Sequence, residues 1–375
     1  MKLKLILTAL FLLSFTCVAA AQKTETNESK STWNWVQSDN NKKIEVRVEN
    51  KVEFNDDYSD VSNIPSDGSL KIIDSRGAHS IRLQVTRGGA GELKREYSVD
   101  GRTREFDNEA RQWLRGVLLQ AAREGGLDAR NRVQRILNKR GARGLAEELT
   151  YIKGDYVRRI YFEAFLQAPG LNDEELKTAI RNASQTIESD YERAQMSLQV
   201  AHIFVSKDAL APDFFASLDR LSSDYERRRT LSGILKKEQP TKNALSAMVH
   251  SARLLSSDYE KAVFLIEAVD RYQSDDRLRA DWFNTLNTLS SDYEHRRVLS
   301  SLLKVPNLNS NALVDAMQSA SRIGSDYEKA SFLIDALDRY QSEPRLRTAL
   351  VNTAKTINSE YERGRVQKRL DRADY

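Results

Sequence analysis

Histidine and acidic side chains are the residues of this chain that could bind a metal ion or transfer protons. The four histidines are scattered through the sequence, at His79, His202, His250 and His295. Metal sites bring such ligands together at short and characteristic spacings, and these histidines show none of them. The carboxylates are so numerous that a pair of them indicates nothing. We therefore expect no metal, no cofactor and no catalytic residue, and predict that the protein is not an enzyme.

Glycine-rich loops are the second feature that could carry chemistry, because their backbone can cradle a phosphate. Residues 88–91 (Gly88-Gly89-Ala90-Gly91) form such a stretch. A phosphate-binding loop joins a strand to a helix, whereas this stretch lies between two segments that both alternate like strands. It therefore predicts a hairpin loop, and no nucleophile elbow of the G-x-S-x-G type occurs elsewhere in the sequence.

A tyrosine motif recurs seven times in the C-terminal two-thirds of the chain. Each copy has an aliphatic residue, a spacer, Ser or Gly, Asp or Glu, and then Tyr. The first interval is 35 residues and each later interval is 34 residues. A fixed period of this length is typical of helical solenoids, whose units bury their apolar faces against one another. The seven tyrosines are Tyr156, Tyr191, Tyr225, Tyr259, Tyr293, Tyr327 and Tyr361.

The residues around each tyrosine predict the start of a helix. A serine stands three residues before a glutamate, which is the spacing of a capping box, and the intervening aspartate suits the positive end of the helix dipole. These serines are Ser189, Ser223, Ser257, Ser291, Ser325 and Ser359. Gly154 and Val157 break the box in the first copy. Each unit should therefore be a helix, a loop, a second helix and a tight turn.

A residue that is needed in every unit is expected to be structural. We predict that each tyrosine ring packs between neighbouring helices and that its hydroxyl bonds locally. Two residues after each tyrosine stands a basic or imidazole side chain, for which we expect a solvated ridge paired with the Asp three residues earlier. Binding of an acidic partner is the alternative. These residues are Arg158, Arg193, Arg227, Lys261, His295, Lys329 and Arg363.

A longer period of 68 residues is superimposed on the shorter one. The segment 270–274 (DRYQS) returns at 338–342, and the pair Arg228-Arg229 returns as Arg296-Arg297. Duplication without functional meaning would explain this, as would two equivalent contacts for one partner. Recognition should use surface positions that differ between units. The candidate partner-binding residues are therefore Arg271, Tyr272, Arg339, Tyr340, Arg228, Arg229, Arg296 and Arg297.

The remaining segments define the domain organisation. Residues 33–106 alternate apolar and polar side chains, which predicts a small antiparallel β domain of five or six strands, with Asp100-Gly101 as a hairpin turn. Residues 107–142 predict connecting helices that begin at the N-cap Asp107, and residues 143–375 hold the repeats. The predicted fold class is α+β, mostly α, with the β domain followed by an α/α solenoid of about seven 34-residue helix-pair repeats.

The N-terminus predicts export. Residues 1–21 have two lysines, an apolar run and three alanines, which is the pattern of a secretory signal peptide cleaved before Gln22. An uncleaved anchor or a lipidated Cys17 are the alternatives. Residues 22–32 are polar and predict a disordered linker. We expect a periplasmic or secreted protein that has no transmembrane segment once the leader is removed.

The charge balance narrows the class of partner. The formal net charge is +4, and it becomes +2 without Lys2 and Lys4, since 4 − 2 = 2. Nucleic-acid-binding proteins usually carry a concentrated basic surface, so we expect no nucleic acid. Residues 101–160 are an exception, with 14 Lys or Arg against eight Asp or Glu. That region predicts either a polar helix face or contact with an acidic protein or an anionic envelope surface.

The stretch from Lys94 to Arg102, continued by Glu105-Phe106-Asp107 and by Ala110 to Leu114, together with the SDYE units, carries a family resemblance. It resembles uncharacterised bacterial envelope proteins with helical repeats and the extracytoplasmic tails of membrane metallopeptidases of the β-lactam-sensor type. Those enzymes keep their catalytic motif in a membrane domain that has no counterpart in this sequence. The resemblance implies a sensory or scaffolding role.

The expected function is therefore that of a non-catalytic exported scaffold or sensory protein that binds another protein through its helical repeats. Binding of an anionic glycan or lipid headgroup through residues 101–160 is the second hypothesis, and an enzyme of unrecognised type is the third.

Overall fold

The computed structural model describes residues 25–27, 30–273, 275–339 and 344–373. The chain forms two compact units, Met1–Asp128 and Ala129–Tyr375. The first unit is built on an antiparallel sheet and the second is helical, which confirms the predicted α+β class. The predicted signal peptide and its cleavage site lie outside the described residues.

The first unit contains a seven-stranded antiparallel sheet in the order β1-β2-β3-β6-β7-β8-β9, and β4 and β5 pair separately. Its strands are β1 (Glu25–Asn27), β2 (Lys30–Asp39), β3 (Lys42–Glu49), β4 (Glu53–Phe54), β5 (Val61–Asn63), β6 (Ser69–Arg76), β7 (His79–Arg87), β8 (Leu93–Val99) and β9 (Arg102–Thr103). A short 3₁₀ helix, Gly89–Gly91, lies between β7 and β8, so the glycine-rich stretch is a strand connection as predicted. Strands β8 and β9 join through Asp100 and Gly101, whose φ angles of 50° and 78° are those of the predicted hairpin turn.

The alternation in the sequence reproduces the two faces of the sheet. Ile44, Val46 and Val48 of β3 are buried, and the residues between them lie on the opposite face. Helix α1 (Asn108–Gly125) covers the apolar face with Leu114 and Leu118. The sheet therefore obtains its core from one side only.

Local signals set the ends of helix α1. The Asp107 side chain accepts a hydrogen bond from the backbone N–H of Ala110, and Gly126 ends the helix at φ 74°, a left-handed conformation that glycine adopts without strain. This helix belongs to the core of the first unit, so residues 107–142 are not one connecting segment. The prediction of a disordered linker at residues 22–32 is also corrected. The described residues of this range form β1 and the start of β2, which are strands.

An ionic cluster fastens α1 to the edge of the sheet. The Asp60 carboxylate is bound by Arg95 at 3.0 Å and also by Arg111. Both guanidinium groups lie against the ring of Phe106, at 5.8 and 5.0 Å from its centre. The stretch from Lys94 to Leu114 therefore supplies packing and charge pairing in this unit.

The second unit is a stack of helix pairs. Its helices are α2 (Ala129–Leu149), α3 (Asp155–Leu166), α4 (Asp173–Thr186), α5 (Asp190–Phe204), α6 (Ala211–Leu218), α7 (Asp224–Lys237), α8 (Lys242–Arg253), α9 (Asp258–Tyr272), α10 (Asp276–Leu286), α11 (Asp292–Leu302), α12 (Ser310–Ala320), α13 (Asp326–Arg339), α14 (Pro344–Ala354) and α15 (Glu360–Ala373). The odd-numbered helices from α3 to α15, here called A helices, pack in sequence order, and so do the even-numbered helices from α4 to α14, here called B helices. This two-layer stacking is that of the predicted α/α solenoid.

Helix α2 leads into the stack and is interrupted. Gly141 has φ 62° and ψ −168°, which no helix tolerates, so the chain bends there and resumes its helix up to Leu149. Helix α2 therefore consists of two segments, which meet at Gly141.

The predicted serine caps form, but the second half of the capping box is replaced. The serine hydroxyl accepts a hydrogen bond from the N–H of the glutamate three residues later, as Ser257 does from Glu260 at 3.3 Å. The backbone N–H of the same serine does not bond to that glutamate. It donates to the Asp of the preceding unit, as Ser257 does to Asp224 at 2.7 Å. Each unit is thus fastened to the next through a carboxylate.

We call this contact the aspartate latch. It recurs at 2.7 to 2.8 Å between successive units, at Asp155–Ser189, Asp190–Ser223, Asp224–Ser257, Asp258–Ser291, Asp292–Ser325 and Asp326–Ser359. Burial opposes ionisation of Asp190, but hydrogen bonds from Ser222 and Ser223 outweigh it and lower the pKa of that carboxyl. The Asp190 carboxylate therefore lies, ionised, near the positive ends of two helices, its own and the next.

None of the described helices is both long and apolar enough to cross a membrane.

The latch generates a stability prediction. Asp258→Ala should lower the free energy of unfolding by about 1–3 kcal/mol, because it leaves the backbone donors of Ser290 and Ser291 without their acceptor. Chemical denaturation followed by circular dichroism measures the change. Asp270→Ala, which removes an exposed carboxylate from the last turn of the same helix, is the control and should be nearly neutral. Equal effects of the two substitutions would contradict the role of the latch.

Candidate interaction surface

The repeated tyrosines are exposed, and the prediction that they pack between helices is wrong. Their exposed fractions run from 36% at Tyr156 to 76% at Tyr361. Each is the second residue of its A helix, and the residue two positions later points to nearly the opposite side, since successive helical residues are about 100° apart. That later residue is directed into the stack, so the tyrosine is directed to solvent. We call the seven side chains the tyrosine row.

The basic residues that follow the row are correspondingly less exposed than predicted. Arg227, Lys261, His295 and Lys329 are at least nine-tenths buried and do not form a solvated ridge. Their polar atoms bond to oxygen atoms at the ends of B helices, where positive charge stabilises the helix dipole. Lys261 donates to the hydroxyl of Thr288 and Lys329 to the backbone carbonyl of Thr356, at 3.0 and 3.1 Å. The members near the N-terminal end agree better with the prediction, since Arg158 and Arg193 do pair with the Asp three residues earlier.

Arginines hold the tyrosines of the row in place. The guanidinium of Arg228 lies 5.2 Å from the ring centre of Tyr225, in its own unit, and that of Arg229 lies 5.8 Å from Tyr191, in the preceding unit. Arg228 also binds Glu260 of the following unit at 2.6 Å, and Arg229 binds Glu226 at 2.6 Å. The rings are therefore exposed but restrained by charged neighbours.

This arrangement explains the 68-residue period. The unit that begins at Ser291 repeats the pattern, with Arg296 against Tyr293 and Arg297 against Tyr259. The units between the arginine-bearing ones have a fully buried alanine, Ala194, Ala262 or Ala330, where the first arginine would stand. Units with two arginines therefore alternate with units that have none, and each arginine pair serves the tyrosines of two units.

The first and last units each keep one of the two arginines. Arg159 lies 5.1 Å from the ring centre of Tyr156 and binds Glu192 of the following unit, and residue 160 is isoleucine. Arg365 lies 5.7 Å from that of Tyr327 in the preceding unit, and residue 364 is glycine. At either end, the arginine that is retained is the one that contacts a neighbouring unit.

The candidate partner-binding residues do not form one site. Four of the candidates contact rings of the tyrosine row from the first turns of their A helices, namely Arg228, Arg229, Arg296 and Arg297. Arg271 and Arg339 are exposed in the last turns of α9 and α13, at the opposite end of the layer. Tyr340 lies outside the described residues.

Tyr272 is buried, and its assignment to a partner-binding surface is wrong. Its side chain is 1% exposed, and its hydroxyl donates to the backbone carbonyl of Leu245 at 2.6 Å. Burial, with a smaller contribution from Asp281, raises the pKa of this hydroxyl. The tyrosine of the DRYQS segment therefore does what was predicted for the repeated motif, namely to pack between helices.

The basic region 101–160 is divided between the two units, since the first ends at Asp128. Several of its arginines are paired within their own unit. Arg132 and Glu148 form a buried pair at 2.8 Å, and Arg143 lies 3.6 Å from Glu147. The basic region is therefore not one continuous element of the fold, and part of its positive charge is paired within each unit.

Among the described residues, no group of three or more His, Cys, Asp or Glu side chains is placed to hold a metal ion. Comparison of the chain with protein-family models, with curated proteins and with solved structures finds no match.

The sequence signal that could have identified the tyrosine row was the phase of the A helices. Large exposed apolar side chains are concentrated in it: of nine such side chains among the described residues, seven are the motif tyrosines. In Asp258–Tyr272 the buried residues are Lys261, Phe264, Leu265 and their helical neighbours, and that periodicity leaves Tyr259 outside. Because Lys261 is charged, the sequence alone does not identify it as a buried position, and the burial pattern of the helix is not apparent from its apolar residues.

Two tyrosines of one helix test the revised assignment. Tyr259→Ala should cost less than about 1 kcal/mol of unfolding free energy, because it removes an exposed ring and one exposed cation–π contact. Tyr272→Ala should cost about 3–5 kcal/mol, because it leaves a cavity and removes the hydrogen bond to the carbonyl of Leu245. Denaturation of both variants measures the difference, and a larger loss for Tyr259→Ala would show that the row is part of the core.

The buried imidazole of His295 predicts a pH dependence of stability. The Nε2 atom of His295 donates a hydrogen bond to the hydroxyl of Ser319. That hydroxyl in turn donates a hydrogen bond to the side-chain oxygen of Asn287. Burial lowers the pKa of His295 to about 4, with Asp292 acting in the opposite direction and Arg322 in the same one. As the pH falls, the imidazole therefore binds a proton near the ordinary histidine pKa in the unfolded chain, but only near pH 4 in the folded chain. The folded state is accordingly favoured most above about pH 6.5. Its free energy of unfolding falls by about 3 kcal/mol in total as the pH decreases towards about 4.

His295→Gln is the matched variant, because glutamine can still donate to Ser319 and does not titrate. The difference in unfolding free energy between the wild-type chain and this variant should shrink between about pH 7 and about pH 4.5. Other groups titrate in both proteins and cancel in the difference. Parallel stability curves over that range would contradict the prediction.

Proposed function

We propose that the chain is a non-catalytic, exported scaffold or sensory protein that binds another protein through the tyrosine row. The observation that carries the proposal is the concentration of exposed aromatic side chains in this one row. Tyrosine and arginine are the residue types most enriched at the centres of protein interfaces, and here they alternate along the edge of the A layer.

The restraint of the rings supports binding energetically. Ordering a mobile side chain at an interface costs roughly 0.5–1.5 kcal/mol, and the guanidinium groups of Arg228 and Arg296 already restrict Tyr225 and Tyr293. Among the described residues, the hydroxyls of Tyr191, Tyr225, Tyr259, Tyr293, Tyr327 and Tyr361 have no hydrogen-bond partner within the chain. They could donate to a partner at once.

The charge of the row indicates what kind of partner it suits. Across two successive units, the positive charges of two arginines are balanced by the negative charges of two glutamates. Arg228 pairs with Glu260, and Arg229 pairs with Glu226. A neutral surface does not select an acidic partner by long-range attraction. Export, to the periplasm or the exterior, is proposed on the leader sequence, and the pairing in region 101–160 gives the anionic-ligand hypothesis no support.

Site-specific crosslinking tests the proposal. A photoreactive phenylalanine derivative replaces Tyr259 in the row, and in the control it replaces Tyr151, which is about as exposed but lies outside the row. In the native envelope the first protein should crosslink to a defined partner and the second should not. Equal crosslinking from both positions would contradict the tyrosine row as the binding surface.

Affinity measurements with the purified partner then test the residues. Joint replacement of Tyr225, Tyr259 and Tyr293 by alanine should weaken binding by more than tenfold, since interface tyrosines often contribute about 2 kcal/mol each. The helical circular-dichroism signal should be unchanged. The affinity should depend weakly on salt, whereas a basic-patch interaction would weaken steeply. Unchanged affinity of the triple variant would refute the proposal.

A further inference from the structure

A second exposed surface runs along the outer face of the B helices. One position of each B helix, at intervals of 34 residues, carries an exposed side chain, and four of the six are primary amides. We call this series the amide column; its members are Asn182, Ala216, His250, Asn284, Gln318 and Asn352.

Cross-unit contacts place equivalent residues of successive B helices side by side. Arg277 of α10 donates to the side-chain oxygen of Asn243 of α8 at 3.2 Å, across the same interval of 34 residues. Arg279 of α10 binds Asp315 of α12 at 2.7 Å. The members of the column therefore stand on adjacent helices, which pack at roughly 8–10 Å from axis to axis.

The amides of the column are available for hydrogen bonding. Within the described part of the chain, the side chains of Asn182, Asn284, Gln318 and Asn352 bond to no other group. Each of them offers two N–H donors and a carbonyl acceptor. His250 is exposed as well, with its Nε2 atom 3.9 Å from Asp281.

The surface beside the column is recessed. Between α12 and α14 an open groove of about 540 Å³ is lined by Val314, Asp315, Thr348, Ala349 and Asn352, among others. At the other end of the stack, a groove of about 430 Å³ reaches Asn182, Thr178 and Ala179, which occupy the same positions of α4. Small side chains therefore leave room next to the amides at both ends.

We infer that the amide column binds an extended polypeptide segment by its backbone. An amide side chain that donates and accepts at once matches the N–H and C=O groups of a peptide bond, and it does so whatever side chains the peptide carries. With about 3.3 Å per extended residue, successive amides would address backbone groups roughly three residues apart. Asp315 and Arg279 pair with each other in the groove, and Arg345 adds one positive charge to its lining.

Other polymers fit the column less well. Single-stranded nucleic acid is held by stacking on successive aromatic rings and by basic grooves, whereas four of the six column members are neutral amides and His250 is the one with an aromatic ring. A glycan would use the same hydrogen-bonding groups, but the imidazole of His250 is the one aromatic ring among the column members on which a sugar could stack. The inference shares the class of partner with the proposed function, a polypeptide, but it depends on different side chains, so either can fail alone.

Fluorescence anisotropy with a labelled peptide tests the inference on the full chain without its leader. The probe is a pool of uncharged peptides, about twelve residues long and rich in threonine, valine and serine, which favour the extended form. The wild-type chain should bind it. Replacing Asn284, Gln318 and Asn352 together by alanine should weaken binding at least tenfold, and the exposed positions predict no loss of stability.

Two matched controls make the test specific to the backbone. Gln185→Ala removes an exposed amide one turn away from Asn182 on the same helix, and should leave the affinity unchanged where Asn182→Ala lowers it. Peptides N-methylated at alternate residues lack half of their backbone donors, so the wild-type chain should bind them weakly. Their affinity for the wild-type chain should equal the affinity of the unmethylated pool for the triple variant. In that variant, N-methylation should cause little further loss of affinity.

The outcomes that would overturn the inference are distinct. They are no binding of the unmethylated pool up to its solubility limit, equal binding by the triple variant, indifference to N-methylation, or displacement of the peptide by the neutral oligosaccharide chitohexaose. Loss of peptide binding on replacement of Tyr259 and Tyr293, with the column variant unaffected, would also overturn it and would assign the peptide to the tyrosine row.

Discussion

The aspartate latch is the contact on which the helical unit of this protein depends. One carboxylate, such as that of Asp258, accepts from the backbone at the start of the next A helix while it stands in the first turn of its own. Two helix dipoles favour the same negative charge, and the donors it satisfies, the N–H groups of Ser290 and Ser291, belong to the turn before the next A helix. Because the contact is made by a short side chain, it fixes the step from one unit to the next.

The exposed chemistry of the A layer follows from that step. Once the A helices begin in register, Tyr225 and its equivalents stand side by side. The guanidinium of an arginine such as Arg228 can then contact a tyrosine ring and also bind a glutamate of its own unit or of the following unit. Buried alanines such as Ala262 provide the space on alternate helices. The B layer inherits the same step, so Asn284, Gln318 and their equivalents also form a column. Two surfaces of different chemistry thus share one geometric origin.

Local signals in the sequence were sufficient for much of the fold. The Asp100-Gly101 turn, the Asp107 and serine caps and the 34-residue period each depend on neighbouring residues, and all are confirmed. The burial of the tyrosines was predicted wrongly because it depends on helix phase, and Lys261 hides that phase by placing a cation in the core. The replacement of half the capping box by Asp224 could not be deduced, since it joins residues of different units. Whether the tyrosine row and the amide column bind anything stays a prediction.

The alternation of arginine-bearing and alanine-bearing units has a consequence for how such a chain can change its length. Removal of a single unit would bring two arginine-bearing helices together, and Arg228 would then meet another guanidinium where Ala262 now gives it room. Removal or insertion of two successive units preserves the alternation, so that each arginine-bearing unit still lies between alanine-bearing units. The heritable module of this solenoid is therefore the pair, and gene rearrangements that preserve the fold should add or delete 68 codons at a time.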